Sequence, residues 1–265
     1  MYPPLQLAIK YCKYYLTASN GKGHGVHSPF VFSFITEVLN DERQFYCYGP
    51  IEELRHRLLH NYAALEIEDF GAGSTVFKSN NRTISQIAKS SLKPEKYGKL
   101  MFRMADYFQS NIMVELGTSL GITTAYLASG NVRGRVFTFE GARQVAEVAK
   151  QNFDTLHVNN IEVIEGNFDD TLPARLDKLD TVDLAFVDGN HRREPTLAYF
   201  NLLLAKANDN SVFIFDDIHW SKGMEEAWKE IQQHPSVTLT IDLFFIGLVF
   251  FKKEQKVTQH FTVRF

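Results

Sequence analysis

Three aspartates and two histidines stand at two places where they could share chemistry: Phe186-Val187-Asp188-Gly189-Asn190-His191 and Phe215-Asp216-Asp217-Ile218-His219. Each group follows an apolar run that reads as a strand, so Asp188, Asp216 and Asp217 are expected at neighbouring strand ends. Carboxylates so close repel one another unless a cation or a shared proton lies between them. Oxygen donors favour a hard ion, so Mg²⁺ or another divalent cation is expected at Asp188, Asp216 and Asp217. His191 adds an imidazole, a group suited to taking a proton from a hydroxyl near neutral pH. His219 and Trp220 are expected to line a substrate pocket or orient a ligand. The bland alternative is that the aspartates only cap the helices that follow them, and it is strongest for Asp217.

A second constellation lies earlier in the chain. Asn111 to Gly130, NIMVELGTSLGITTAYLASG, reads as strand, Gly-rich turn and helix. Gly117 and Gly121, with Thr118 and the small Ser119 between them, let the backbone curve tightly and a ligand approach it. The segment has no lysine, which excludes a phosphate-cradling Gly-Lys-Ser/Thr loop. Ser119 and Ile122 stand where a dinucleotide fingerprint needs glycines, which disfavours a nicotinamide cofactor. The next strand ends in Phe139-Glu140-Gly141, and an acid there in nucleotide-binding α/β folds accepts hydrogen bonds from ribose hydroxyls. Glu165-Gly166-Asn167-Phe168-Asp169 closes the strand after that, where a turn before a helix is equally plain.

Glu115 two positions before Gly117, the turn through Ser119 and Gly121, Glu140, Asp188 and the Asp216-Asp217 pair together resemble the class I S-adenosylmethionine-dependent methyltransferases. Within that class they are similar to the metal-dependent O-methyltransferases of the catechol and macrocin type, over roughly Tyr97 to Phe251. The resemblance implies S-adenosyl-L-methionine bound by Glu115, Gly117, Thr118, Ser119, Gly121, Glu140, Gly141, Asn167, Phe168 and Asp188, with Asn167 and Phe168 at the adenine. It implies a divalent ion on Asp188, Asp216 and Asp217, with Asp188 and His191 catalytic. In the catechol branch the base is a lysine three residues beyond the first metal aspartate, and an asparagine follows the second aspartate. Here His191 and Asp217 take those places, the latter as in the macrocin-like branch. A metal-independent methyltransferase with His191 as base, a nicotinamide-dependent oxidoreductase and a non-catalytic nucleotide-binding module are the rival readings.

From Pro94 onward helical and strand patterns alternate, which predicts a parallel sheet covered on both faces. Strands are expected at Ile112 to Val114, Arg135 to Phe139, Ile161 to Ile164, Val182 to Val187, Ser211 to Phe215, Val237 to Ile241 and Ile246 to Phe251. The expected fold is α/β: a Rossmann-like, doubly wound, seven-stranded, mostly parallel sheet whose last strand is antiparallel. Residues 94–265 would form the S-adenosylmethionine-binding domain, and residues 1–93 a helical cap or substrate lid without strands. In the cap, Leu5, Ile9, Cys12 and Leu16 share a helix face, Ser28-Pro29 opens a second helix running to Leu39, and Pro50 opens a third. Seven basic residues from Lys78 to Arg103 face the single acid Glu95. They read as a solvated face or as a site for an anionic substrate group, to which Asp69 to Ser74 could add backbone amides.

The whole-chain balance narrows the partners. A net charge of −3 over 265 residues gives no footprint for nucleic acid. Two cysteines make neither a disulfide framework nor a zinc cluster, which suits the cytoplasm. The longest apolar run, Leu243 to Phe251, is too short to span a bilayer. A small-molecule acceptor is expected, and a homodimer is left open.

Overall fold

The computed structural model describes residues 1–23, 25–66 and 81–265. Its helices are α1 (Pro4–Thr17), α2 (Pro29–Phe34), α3 (Tyr48–Leu59), α4 (Ile84–Ser91), α5 (Glu95–Tyr107), α6 (Ile122–Gly130), α7 (Arg143–Thr155), α8 (Phe168–Leu176), α9 (Arg193–Leu204) and α10 (Lys222–Gln232). Its strands are β1 (Ala64–Glu66), β2 (Asn81–Thr83), β3 (Ile112–Leu116), β4 (Arg135–Glu140), β5 (Ile161–Glu165), β6 (Leu184–Val187), β7 (Val212–Asp216), β8 (Leu239–Asp242), β9 (Ile246–Phe250) and β10 (Gln259–Thr262). Two compact units result: Met1–Glu42 with Asp180–Phe265, and Arg43–Leu179.

In the Arg43–Leu179 unit, β3, β4 and β5 run parallel, with Glu115 opposite Thr138 and Glu140 opposite Glu165. All residues of β3 except Ile112 are buried, as are Val136 to Phe139 of β4, as strands covered on both faces require. Helix α5 buries Tyr97, Leu100, Met101 and Met104. It packs closely on α6 because Gly98 has no side chain; a Cβ there would stand 2.5 Å from the Tyr126 ring.

The other unit carries five strands in the order β10-β8-β9-β7-β6. Strand β7 is parallel to β6, and β9 is antiparallel to both β7 and β8. Ile241, Leu248, Val249, Phe213 and Ile214 are fully buried in these ladders. Each of the seven expected strands forms, within two residues of the expected ends. An eighth, β10, lies parallel to β8, so the antiparallel β9 is not the last strand. Its sequence, Gln259-His260-Phe261-Thr262, is short and half polar, which hid it from a search for apolar runs.

The first hundred residues differ from expectation in three respects. Strands β1 and β2 form a small antiparallel ladder, Ala64 opposite Thr83 to Glu66 opposite Asn81, too short and too exposed to show a period. Helix α3 begins at Tyr48, which places Pro50 inside its first turn. In α1 the expected inner face points outward: Leu5, Ile9 and Leu16 are 74%, 61% and 77% exposed. The opposite face, Leu7, Tyr11, Tyr14 and Ala18, packs with Phe244 instead. Aromatic rings bury more surface than the aliphatic stripe, and the Tyr14 hydroxyl donates to the Val263 carbonyl, so the tyrosine face wins. Ser28 caps α2 as predicted, accepting from the Val31 amide at 3.4 Å, and Ile35–Leu39 continues it as a π-turn.

Candidate functional site

Two groups of side chains merit separate description, one in each unit. In the Arg43–Leu179 unit, the turn after β3 is held open in an uncommon backbone shape. Gly117, Ser119 and Gly121 have φ of 104°, 48° and 82°. The first and last of these are what glycine tolerates without strain. A Cβ on Gly121 would also lie 2.5 Å from the Phe153 ring. The Gly117 and Thr118 amides both donate to the Phe139 carbonyl at 3.0 Å, which stitches the turn to the end of β4. Asn152 holds its far side by donating to the Leu120 carbonyl at 2.9 Å. The Ser91 and Ser119 hydroxyls stand 2.7 Å apart.

The two glutamates of this turn have different surroundings. Glu140 is partly exposed. It accepts the Ser119 amide at 2.8 Å on one oxygen and the Ala142 amide at 2.9 Å on the other. Glu115 is wholly buried. Its Oε2 accepts from Thr138 at 2.6 Å and from Thr124, and Thr118 stands 2.6 Å from Thr138, forming a hydroxyl chain into the carboxylate. Through these hydroxyls the enclosed Glu115 carboxylate braces the turn. Thr124 and Thr138 escaped sequence reasoning, although the pairing of Thr138 with Glu115 follows from the β3–β4 register.

Gly141 is partly exposed beyond Glu140. Asn167 accepts the Asp169 amide at 3.1 Å and so caps α8. Phe168 sets its ring edge-on to Phe139 with centroids 6.5 Å apart. The basic stretch does not form one face: Arg103 is buried and Lys99 pairs with Glu95 at 2.6 Å. Lys78 and Asp69 to Ser74 lie outside the described residues.

In the other unit, Val187 of β6 pairs with Phe215 of β7, so Asp188 and Asp216 emerge side by side at parallel strand ends. Asp216 is 2% exposed. Among the described residues, Asp188, His191 and Asp216 each bring a ligand atom within 4.8 Å of the others, a spacing that one ion could bridge. Asp217 is not one of this trio; it follows Asp216 with a left-handed backbone, φ 54°. His191 lies between the carboxylates, its Nε2 3.6 Å from Asp188 Oδ1 and its Nδ1 3.9 Å from Asp217 Oδ2.

His219 is held by two carboxylates and an aromatic ring. Its Nε2 meets Asp242 Oδ2 at 2.7 Å and its Nδ1 meets Glu225 Oε1 at 3.2 Å, while its ring stacks on Phe244. Burial opposes a charge there, but the two carboxylates outweigh it and raise the pKa above the ordinary histidine value. Trp220 is partly exposed, and its carbonyl accepts the Tyr2 amide at 2.9 Å. Neither Asp242 nor Glu225 was visible as a site residue, because each reaches His219 only through the folded chain.

Residues 114–218 match a family model described as a methyltransferase domain. The chain is 32% identical over 123 residues to the catechol O-methyltransferase of Mycobacterium tuberculosis (strain ATCC 25618 / H37Rv), covering 46% of this chain and 54% of that protein. The chain thus spans about half the length of the curated relatives it matches. Two solved structures share the methyltransferase fold. An O-methyltransferase of tomaymycin synthesis from Streptomyces achromogenes, in complex with SAM, aligns with TM-score 0.57 and 18% identity over 79% of this chain and 91% of its own. A methyltransferase from Podospora anserina, bound to SAH, aligns with TM-score 0.59 and 13% identity over 96% and 99%.

Proposed function

We propose that this protein is an S-adenosylmethionine-dependent O-methyltransferase acting on a small-molecule hydroxyl, assisted by a divalent ion. The observation that carries this reading is the turn from Gly117 to Gly121, its left-handed backbone pinned to the Glu140 carboxylate at the end of the next strand. The curated relative that methylates catechol supports oxygen as the methyl acceptor. Residues Gly117, Thr118, Ser119, Gly121, Glu140 and Gly141 would hold the nucleoside, with Asn167 and Phe168 at its base. Glu115 keeps the turn in shape through its threonines.

S-adenosylmethionine supplies an activated methyl group when bound, and the protein's task is to hold the acceptor oxygen in line with it. Such positioning can contribute about 7–11 kcal/mol. Asp188, His191 and Asp216 fit a divalent ion by donor type and spacing, and Asp217, 3.9 Å from His191, would be the further carboxylate beside it. A divalent ion would act as a Lewis acid on the acceptor oxygen. His191 takes the acceptor's proton, and Asp188 and Asp217 orient its ring. This histidine, flanked by carboxylates on both ring nitrogens, also favours a second reading, methyl transfer without a metal. A nicotinamide cofactor is disfavoured by Ile122, buried where close helix–strand packing would need glycine.

No helix among the described residues is long and apolar enough to cross a membrane. Cys12 and Cys47 are both free thiols, which suits a reducing cytoplasm. The Glu140 assignment has a direct test. Glu140→Ala should weaken S-adenosylhomocysteine binding by about 10–100-fold in calorimetry, the loss of one or two hydrogen bonds to a charged acceptor. Unchanged affinity in a folded variant would remove Glu140 from the site.

A further inference from the structure

The expected chemistry places Asp216 and Asp217 at the start of the connection from β7 to α10, and that connection is tied down by residues far away in the chain. Asp217 adopts a left-handed backbone and accepts the Trp220 amide at 2.9 Å, closing a tight turn. A non-glycine residue in that conformation persists only where its surroundings enforce it. The enforcing contacts converge on Glu225, in the first turn of α10. Its carboxylate accepts from Lys10 at 2.9 and 3.1 Å, from the Tyr2 hydroxyl at 2.8 Å, and meets His219 at 3.2 Å. The Tyr2 amide holds the Trp220 carbonyl, and His219 is gripped on its other nitrogen by Asp242, whose second oxygen accepts the Phe244 amide at 2.8 Å.

The start of the chain is thus fastened to the carboxylate-bearing turn at two points, once by backbone and once through Glu225. Tyr14 and Tyr11 anchor the rest of α1 against Phe244, the residue on which the His219 ring stacks. We propose that Glu225 is a positioning residue, and that Tyr2 and Lys10 act through it to set the geometry of the Asp216–Asp217 turn. This rests on the proposed role of those aspartates in holding a divalent ion.

Amide hydrogen exchange of residues 216–221 and Mn²⁺ titration test the proposal together, in the full chain. Glu225→Ala should speed exchange in that turn by about tenfold or more and weaken Mn²⁺ binding by about 10–100-fold, the range for residues that support metal ligands. S-adenosylhomocysteine affinity should stay within about twofold, because the nucleoside turn has its own braces. Tyr2→Phe, which removes one hydrogen bond to Glu225, and Lys10→Met, which removes two, should give smaller changes of the same kind, and Lys10→Arg should restore wild-type values. These milder variants decide the matter if Glu225→Ala does not fold. Unchanged exchange at 216–221 would overturn the proposal, as would exchange rising equally throughout α9, which would mark Glu225 as a general stability residue. If the wild-type protein takes up no Mn²⁺, the metal reading fails, and the exchange measurement alone still decides whether the start of the chain sets this turn.

Discussion

Replacing His191 with alanine should lower kcat by about 10²–10⁴-fold, the usual contribution of a positioned general base. The imidazole has carboxylates near both nitrogens, at 3.6 and 3.9 Å. Those distances leave the ring held without a tight bond that would have to break before it accepts a proton. KM for S-adenosylmethionine should change little, because the turn that would hold the nucleoside is braced by other residues, among them Asn152 and the threonines around Glu115. Steady-state kinetics with a catechol-type acceptor would separate the two parameters. A large rise in KM with kcat intact would instead assign His191 to binding. Full activity in the alanine variant would remove it from the chemistry.

The second large effect should come from the carboxylates. Asp216 is almost entirely buried at the end of β7, beside Asp188. Its charge is costly there unless compensated. Asp216→Asn should weaken divalent-ion binding and lower turnover by about 10²–10³-fold, since stabilising charge on the acceptor oxygen is worth several kcal/mol. Calorimetry with Mn²⁺ and turnover before and after chelation would read both. Turnover that survives chelation in the wild-type protein, and the Asp216→Asn change as well, would leave methyl transfer standing with His191 alone as its support.

The parts of this protein that announce themselves in sequence are those under a local rule. Seven strands are legible because buried parallel strands need unbroken apolar runs, and the acids at their ends interrupt those runs visibly, as at Glu140, Asp188 and Asp216. The glycine turn is legible because only certain residues accept its backbone. Strand β10 obeys no such rule, being a short edge strand with alternating exposure. The orientation of α1 was equally hidden, since both of its faces are apolar and the choice depends on Phe244 and Val263, more than two hundred residues later. Glu115 shows the same limit within the site. Its place in the motif is plain, but the side of the strand on which it meets Thr124 and Thr138 appears only after folding. His219 follows suit, since Asp242 and Glu225 come to it from β8 and α10.

The central claim is that the turn from Gly117 to Gly121, with Glu140, takes up an adenosyl nucleoside. Titrating S-adenosylhomocysteine into the wild-type protein by calorimetry, with NADH titrated in parallel, tests it most directly. The account predicts saturable uptake of one S-adenosylhomocysteine per chain and none of NADH. Absence of S-adenosylhomocysteine uptake by the folded protein, or saturable NADH uptake in its place, would contradict it.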